Sequence, residues 1–385
     1  MGSAADTLKT KITRTMLARS SDPDRISRRA AWLRQGDDRF RHRHRGARLR
    51  MDGPRPERLT CAAVQMRATL TRSGREYVDL VYRLAAKAAA GGADIVAFPE
   101  YSGLPLLGMI PGMETKLAHA GSLDEAAGPA GDILGVFRFV GPYADRAYRG
   151  AFSSVARELG IYVVSGSMVL PGETESHSAM QSLGYIFGPG GELVGKYHKT
   201  HLMPAESDWG VEPGDSMPTF SIGGVIVAVP ICMDATYFET VRIARLGGAD
   251  LVIVPSANNE PYNLWYALRG IWPRVQESQV YGIGASMVGT FAGQAFTGRS
   301  AILAPLELSP GGDGMLAQAT TYDTEEVVLA QIDIPSLHKF RAENPLQFNL
   351  PLYRKYLPEL YRAAQAARRP SAAQLSKERN DTWER

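Results

Sequence analysis

Gly91-Gly-Ala-Asp-Ile-Val-Ala-Phe-Pro-Glu100 is echoed later in the chain by Gly247-Gly-Ala-Asp-Leu-Val-Ile-Val-Pro-Ser256. The two stretches share Gly-Gly-Ala-Asp, a pair of aliphatics and a proline at the same offset. A helical pattern runs up to each glycine pair: Tyr77 to Ala90 reads as an amphipathic helix, and Ala244-Arg-Leu246 ends a second. Two glycines after a helical run are a stop signal, and the short apolar run that follows reads as a buried strand. Helix, stop and strand, twice over, predict two similar α–β halves and an α/β fold class.

The surrounding sequence extends this frame. Arg58-Leu-Thr-Cys-Ala-Ala-Val-Gln-Met66 follows a Gly/Pro-containing linker, Asp52-Gly-Pro-Arg-Pro56, and predicts the first strand. Cys61, inside that strand, is most simply a small core residue. Further strands are predicted at Ile161-Tyr-Val-Val-Ser165, Leu183-Gly-Tyr-Ile-Phe187, Tyr281-Gly-Ile-Gly-Ala-Ser286 and Val327-Val-Leu-Ala-Gln-Ile-Asp333. Pro189-Gly-Gly191 signals a hairpin whose second strand carries Lys199 at its end. Beyond residue 335 the chain is Pro-rich, then helical from Tyr353 to Ala367, then polar. The expected organisation is an N-terminal extension over 1–57, a core domain over 58–335 and a C-terminal helical arm over 336–385.

Three segments can carry chemistry. Val225-Ile-Val-Ala-Val-Pro-Ile-Cys232 is an apolar, β-branched run that delivers one of the two cysteines of the chain to a turn before Met233-Asp234. A thiol at a strand end is fixed by the strand and exposed by the turn. The run ending in Phe98-Pro-Glu100 delivers a carboxylate, and Lys196-Tyr-His-Lys199-Thr-His-Leu202 an amine. His198 and His201 keep open a Cys–His pair of the papain type.

In order, spacing and strand–turn context these segments resemble the Glu–Lys–Cys set of the nitrilase, or carbon–nitrogen hydrolase, superfamily, with Glu239 further on. The resemblance runs from about Leu59 to about Pro335. It implies a four-layer α-β-β-α sandwich and hydrolysis of non-peptide C–N bonds, an amide first, through a Cys232 thioester. Glu100 is then the general base and acid, and Lys199 with the Met233 N–H holds the oxyanion. A second glutamate positions the lysine; Glu206 fits better than its rival Glu212. In this setting His198 and His201 become loop-orienting residues, and the C-terminal arm is expected to pack on the core or on another subunit. Nitrile-cleaving members typically carry Trp-Glu after the cysteine, whereas Met233-Asp234 points to the amidase and carbamoylase branches. Arginines that hold carboxylate-bearing substrates in some relatives are replaced by Ala235 and Thr236, which cannot pair bidentately with a carboxylate. The expected pocket rim is Tyr101, Asn258, Asn259 and Trp265, while Trp265 and Trp272 also suit helix packing. Leu104-Pro-Leu-Leu-Gly-Met-Ile-Pro-Gly-Met113 is either a pocket lid or core filler.

Composition narrows the class. With 385 residues, 44% of them hydrophobic, the chain can bury one large or two modest cores. It holds no apolar run near the ~20 residues that span a bilayer, and its polar N-terminus lacks a secretory core. Two cysteines build no disulfide framework, and no Cys/His cluster has zinc spacing. A cytoplasmic protein with no metal and no cofactor is expected. Residues 1–58 hold sixteen Lys/Arg against seven Asp/Glu, near +9, with Arg39-Phe-Arg-His-Arg-His-Arg45 the densest part. Such a run is most simply a solvated, partly disordered extension; contact with nucleic acid, an anionic surface or an acidic partner is possible but not expected. The expected partners are a small amide-type substrate and further copies of the chain in a homo-oligomer. Alternatives on the same site are N-carbamoyl or nitrile hydrolysis and acyl transfer; a dimeric scaffold working through its basic arm is the non-enzyme alternative.

Overall fold

The structure, a computed structural model, describes residues 4–40, 56–128, 132–172 and 179–366. Most of the densest basic stretch and the polar C-terminal tail lie outside these residues. By contacts the chain divides into Met1–Phe340 and Arg341–Arg385. The described part of the second unit holds the end of helix Ile334–Glu343 and helix Leu350–Ala366.

Fourteen strands are described. The first half carries β1 (Arg58–Arg67), β2 (Ile95–Ala97), β3 (Tyr162–Val164), β4 (Met168–Pro171), β5 (Met180–Phe187) and β6 (Leu193–His198). The second carries β7 (Thr219–Ile222), β8 (Val225–Ala228), β9 (Leu251–Ser256), β10 (Tyr281–Phe291), β11 (Gln294–Phe296), β12 (Ala301–Leu303) and β13 (Met315–Gln318), and β14 (Glu326–Asp333) returns to the first. β1, β2 and β3 run parallel, with β14 antiparallel on the other side of β1. β5 pairs antiparallel with β3, β4 and β6. In the second half β8, β9 and β10 are parallel, flanked by antiparallel β7 and β12. The halves meet where Met66 and Arg67 pair with Met287 and Val288.

Strand periodicity sorts the side chains into layers. Cys61, Ala63, Ile95, Ala97, Tyr162 and Val164 of the first sheet pack with Val225, Val227, Leu251, Ile253, Tyr281 and Ile283 of the second. The alternate residues Ala62, Val64, Val96 and Val163 face helices Gly74–Ala90 and Ile133–Leu159. Ala228, Val252 and Leu303 face helices Phe238–Leu246 and Ile271–Ser278. Three apolar seams between four layers are an α-β-β-α sandwich. Both faces of each sheet are covered, so the parallel strands read as continuous apolar runs.

The sequence echo reappears as matched geometry. Helices Gly74–Ala90 and Phe238–Leu246 stop at the glycine pairs, and Gly92 and Gly248 take φ of +88° and +94°. In both copies the following alanine N–H reaches back into the helix, Ala93 to Ala88 O and Ala249 to Ala244 O, each at 3.0 Å. That is a Schellman-type stop, which needs a residue free to adopt positive φ.

One expectation is corrected and one open alternative is decided. Residues 4–40 form helices Ala4–Ser20 and Pro23–Gly36 and a short turn to Phe40, and Leu17, Ile26, Ala30 and Phe40 are buried in the first-half core. Amphipathic spacing of these few apolar residues overrides the charge of the segment, so it is not a solvated arm over this range. The 104–113 segment forms a 3-10 helix, Leu104–Met109, with Leu104, Leu106, Leu107 and Met109 buried in the same core, which makes it filler and not a lid.

Candidate active site

Glu100, Cys232 and Ser256 lie at or just beyond the C-terminal ends of parallel strands, the end at which ligands bind in α/β sheets. β2 stops at Ala97, and Phe98 continues the path by donating to Val164 O. Glu100 follows and is buried. β8 stops at Ala228, four residues short of the cysteine, because Pro230 has no N–H for the ladder. Cys232 then opens a short 3-10 turn, Cys232–Thr236, with φ +46°. Tyr101, next to Glu100, has φ +59°. Left-handed backbone at a bulky non-glycine residue costs of order 1–3 kcal/mol and persists only where the surroundings impose it. Gly166 lets the backbone before Glu100 pack closely: a Cβ there would fall 1.9 Å from Pro99 O.

Lys199 comes directly off β6, held by its N–H to Ser182 O at 2.9 Å and by Gly214 N–H to its own carbonyl at 2.7 Å. Its Nζ lies 2.7 Å from Glu100 Oε1 and 2.6 Å from Glu206 Oε2, all three side chains being buried. Glu206 sits in helix Pro204–Trp209, where its Oε2 also accepts Met203 N–H at 2.8 Å and its Oε1 accepts the Tyr101 hydroxyl. Glu212 is exposed and its backbone pairs with β5, so the second carboxylate at the lysine is Glu206.

Burial disfavours every charge here, and the outcome for each group depends on what it faces. Burial pulls Lys199 down, but Glu100, Cys232 and Glu206 outweigh it and raise its proton affinity above that of an ordinary lysine. Burial raises Glu100 above the usual carboxylate range; Lys199 opposes this and Glu206 adds to it. Burial and the Glu100 charge push the Cys232 thiol up, against the pull of Lys199. Lys199 and the Cys232 thiol thus both hold their protons tightly, and Glu100 is the acidic group that acts on the thiol by charge and hydrogen bonding.

Asp234, fully buried, ties the lysine and cysteine turns together. Its Oδ2 accepts Ile231 N–H at 2.8 Å, and its Oδ1 accepts Thr200 N–H at 3.0 Å, Thr200 Oγ1–H at 2.7 Å and His201 N–H at 2.7 Å. The His201 Nδ1 lies 3.1 Å from the same oxygen, and its ring stacks on Tyr237. The His198 Nδ1 lies 3.3 Å from Gln181 Oε1. These contacts give both histidines orienting positions and leave Glu100 and Lys199, not a histidine, as the ionisable groups acting on the thiol.

A cavity of about 90 Å³ opens at Cys232 and is lined in part by Met203, Met233, Asn258, Asn259, Tyr266 and Arg299. The Cys232 Sγ lies 3.9 Å from Asn258 Oδ1. Met233 lies at the start of the 3-10 turn, where N–H groups lack an intrahelical acceptor. Trp265 does not join this wall. It is 74% exposed on the short helix Leu264–Leu268, and its neighbour Tyr266 lines the cavity instead. One residue of helical rotation, which sequence pattern does not resolve, separates the two. Tyr101 is likewise absent from the wall and acts on Glu206. Among the described residues no group of three or more His, Cys, Asp or Glu side chains could hold a metal ion, and no helix is long and apolar enough to cross a membrane.

A model of the family described as "carbon-nitrogen hydrolase" matches residues 60–342. The chain belongs to the carbon–nitrogen hydrolase family. Among curated relatives, a nitrilase of Pyrococcus abyssi is 35% identical over 181 residues, 47% of this chain and 62% of that protein. An omega-amidase of Homo sapiens is 29% identical over 221 residues, 54% of this chain and 72% of that protein. Among solved structures, a variant of the amidase from Nesterenkonia sp. AN1, with the acetamide moiety of fluoroacetamide on its active-site cysteine, superposes with a TM-score of 0.55. It is 21% identical and covers 79% of this chain and 98% of that one, a likeness of fold. In this member of the family, sequence reasoning missed the Met203 N–H on Glu206, the Asp234 tie, Tyr266 and Arg299. Asp234 stood out only as a branch marker. Met203 and Arg299 depend on loop paths that carry no periodic signal, and Tyr266 on the rotation of a helix too short to set one.

Proposed function

We propose that the protein hydrolyses small amides through a thioester on Cys232. The observation that carries this reading is Lys199 held between Glu100 and Glu206 beside a half-buried thiol at a cavity mouth. Glu100 takes the thiol proton as sulfur bonds to the carbonyl carbon. The oxyanion is met by the Lys199 ammonium and the Met233 N–H. Glu100 returns the proton to nitrogen, the C–N bond breaks and ammonia or an amine leaves. Water then attacks the thioester, gives its proton to Glu100 and releases the acid, and the thiol is restored. Proton transfer of this kind contributes roughly 10²–10⁴ in rate, and one oxyanion donor about 3 kcal/mol.

Arg299 bears on the acyl half. It lines the cavity, its Nε–H goes to Ala319 O at 2.8 Å, and no carboxylate pairs with it among the described residues. The other cavity arginine, Arg269, is already paired with Glu260 at 3.2 Å. An unneutralised guanidinium on the wall supports an acyl group that ends in an anion, paired differently from relatives with arginines after the cysteine.

The test is intact-protein and peptide mass spectrometry after brief exposure to a panel of amides, nitriles and N-carbamoyl compounds. An acyl mass on the Cys232 peptide is expected with amides. Turnover that persists in Cys232→Ala would overturn the assignment.

A further inference from the structure

The helical extension and the core domain together build an open groove of about 550 Å³, lined by Arg19, Arg25, Arg28, Arg29, Trp32 and Arg75. Nothing in the hydrolytic site uses it. Arg29 is committed to Asp79, at 2.6 and 2.9 Å. Arg25 makes only a loose, exposed pair with Asp22 at 3.8 Å, whose Oδ1 caps helix Pro23–Gly36 through the N–H groups of Asp24 and Arg25. Arg19, Arg28 and Arg75 are exposed and pair with no carboxylate among the described residues.

The groove is fixed by packing. Ile26 and Ala30 are buried beneath it. The Arg157 Nη2–H donates to Ser27 Oγ at 2.8 Å. Ser20 O approaches Gly74 so closely that a Cβ there would lie 2.5 Å away. The arginines therefore project from anchored helices and not from a random tail.

We infer that this groove binds single-stranded nucleic acid, its arginines taking phosphates and Trp32 a base. Fourteen of the sixteen cations in residues 1–58 are arginine, the side chain whose planar fork matches phosphate bidentately. That segment is near +9 while the remainder of the chain is near −6, so the attraction for an anion is concentrated in the segment that carries most of the groove's arginines. The Trp32 side chain is 60% exposed, with the Arg29 guanidinium 4.1 Å from its ring centroid. An aromatic platform flanked by cations is how single strands are held without sequence preference. An acidic peptide would use the arginines but leaves the exposed indole without a role.

The experiment measures anisotropy of a labelled 20-nucleotide oligouridylate with the full chain, from 50 to 200 mM KCl. The triple variant Arg19→Ser/Arg28→Ser/Arg75→Ser is expected to lose tenfold or more in affinity at 50 mM. Its salt slope should become shallower by about 2, because three phosphates at about 0.7 each are no longer contacted. Trp32→Ala is expected to lose about tenfold with the slope unchanged. Thermal unfolding and amide turnover should match the parent in both variants. No binding at 50 mM KCl, parental binding by the triple variant, a duplex bound as tightly as the single strand, or displacement by poly-glutamate at similar concentration would each overturn the inference.

Discussion

Replacing Asp234 by asparagine tests whether one buried carboxylate holds the reactive geometry. The oxygen facing Ile231 N–H serves one donor, and the other serves three from Thr200 and His201. An amide must turn its NH₂ toward one of these sets. The less damaging choice opposes Ile231 N–H with another N–H and leaves a buried donor unsatisfied, at a cost of about 1–3 kcal/mol. The three remaining bonds change from charge-assisted to neutral and lose roughly half their strength. The sum is about 3–7 kcal/mol, in the tail that marks a broken buried network. Ile231 precedes Cys232, and Thr200 follows Lys199, so relaxation moves the sulfur relative to the ammonium. A displacement of about 1 Å at a reacting atom costs on the order of 10² in rate. Asp234→Asn is therefore expected to lose about 100-fold in kcat with KM little changed, and to unfold at lower urea concentration. The exposed Glu212→Gln serves as the control. Parental kcat and urea midpoint in Asp234→Asn would refute the argument that this carboxylate positions the thiol.

Other outcomes follow from the same geometry. Because the Cys232 thiol is pushed up by burial and the Glu100 charge, its alkylation by iodoacetamide should keep accelerating above pH 9; a plateau at or below pH 9 contradicts this. The same upward shift makes a stability contribution that is complete below the unfolded thiol value near 9.0 and is lost as pH rises through the higher folded value. Urea midpoints of wild type and Cys232→Ala should therefore diverge above pH 9. Burial also raises Glu100, and the base must be ionised, so the acid limb of kcat/KM should fall at a pH above 4.5; a limb at or below that value counts against Glu100 as the base. Arg299→Met should raise KM more than tenfold for amides ending in a carboxylate and leave neutral amides unaffected; equal effects on both remove the anionic contact. Cys61, fully buried between the sheets, should tolerate Cys61→Ala with full turnover and a loss of about 1 kcal/mol, read from urea unfolding.

The fold was legible because its decisive features are periodic and local. Gly-Gly after a helical pattern can do little but stop the helix, and the same stop at Gly91-Gly92 and Gly247-Gly248 marks both halves in the sequence itself. Glu100 and Cys232 each follow an apolar run, and Lys199 follows the Pro189-Gly-Gly191 hairpin signal, so the place of each at a strand end is readable. What the sequence concealed depends on side chains meeting across loops. Nothing local distinguishes Trp265 from Tyr266, yet only Tyr266 faces the cavity. Positive φ at Tyr101 and Cys232 is invisible too, since neither is glycine and local sequence does not mark it. The extension was misread for the opposite reason. Its charge density dominated, while four apolar residues over 17–40 were enough to anchor it.

Charge balance in the site also constrains the order of events. Two carboxylates and one ammonium already sum to −1 within a buried cluster. A thiolate formed in advance would bring this to −2, far from water, which is the state that burial and the Glu100 charge resist. Moving the thiol proton to Glu100 while sulfur attacks brings the protein groups to zero and places the one negative charge on the substrate oxygen, beside Lys199, so the site as a whole stays at −1. The raised proton affinity of the thiol therefore favours attack coupled to proton transfer over attack by a resting thiolate. Glu100→Gln separates the two: it removes the proton acceptor but also the charge that disfavours the thiolate. A resting-thiolate mechanism predicts faster acylation in this variant, whereas coupled transfer predicts a loss of about 10² or more. Single-turnover measurement of thioester formation by rapid-quench mass spectrometry distinguishes them, and faster acylation in Glu100→Gln would exclude the coupled step.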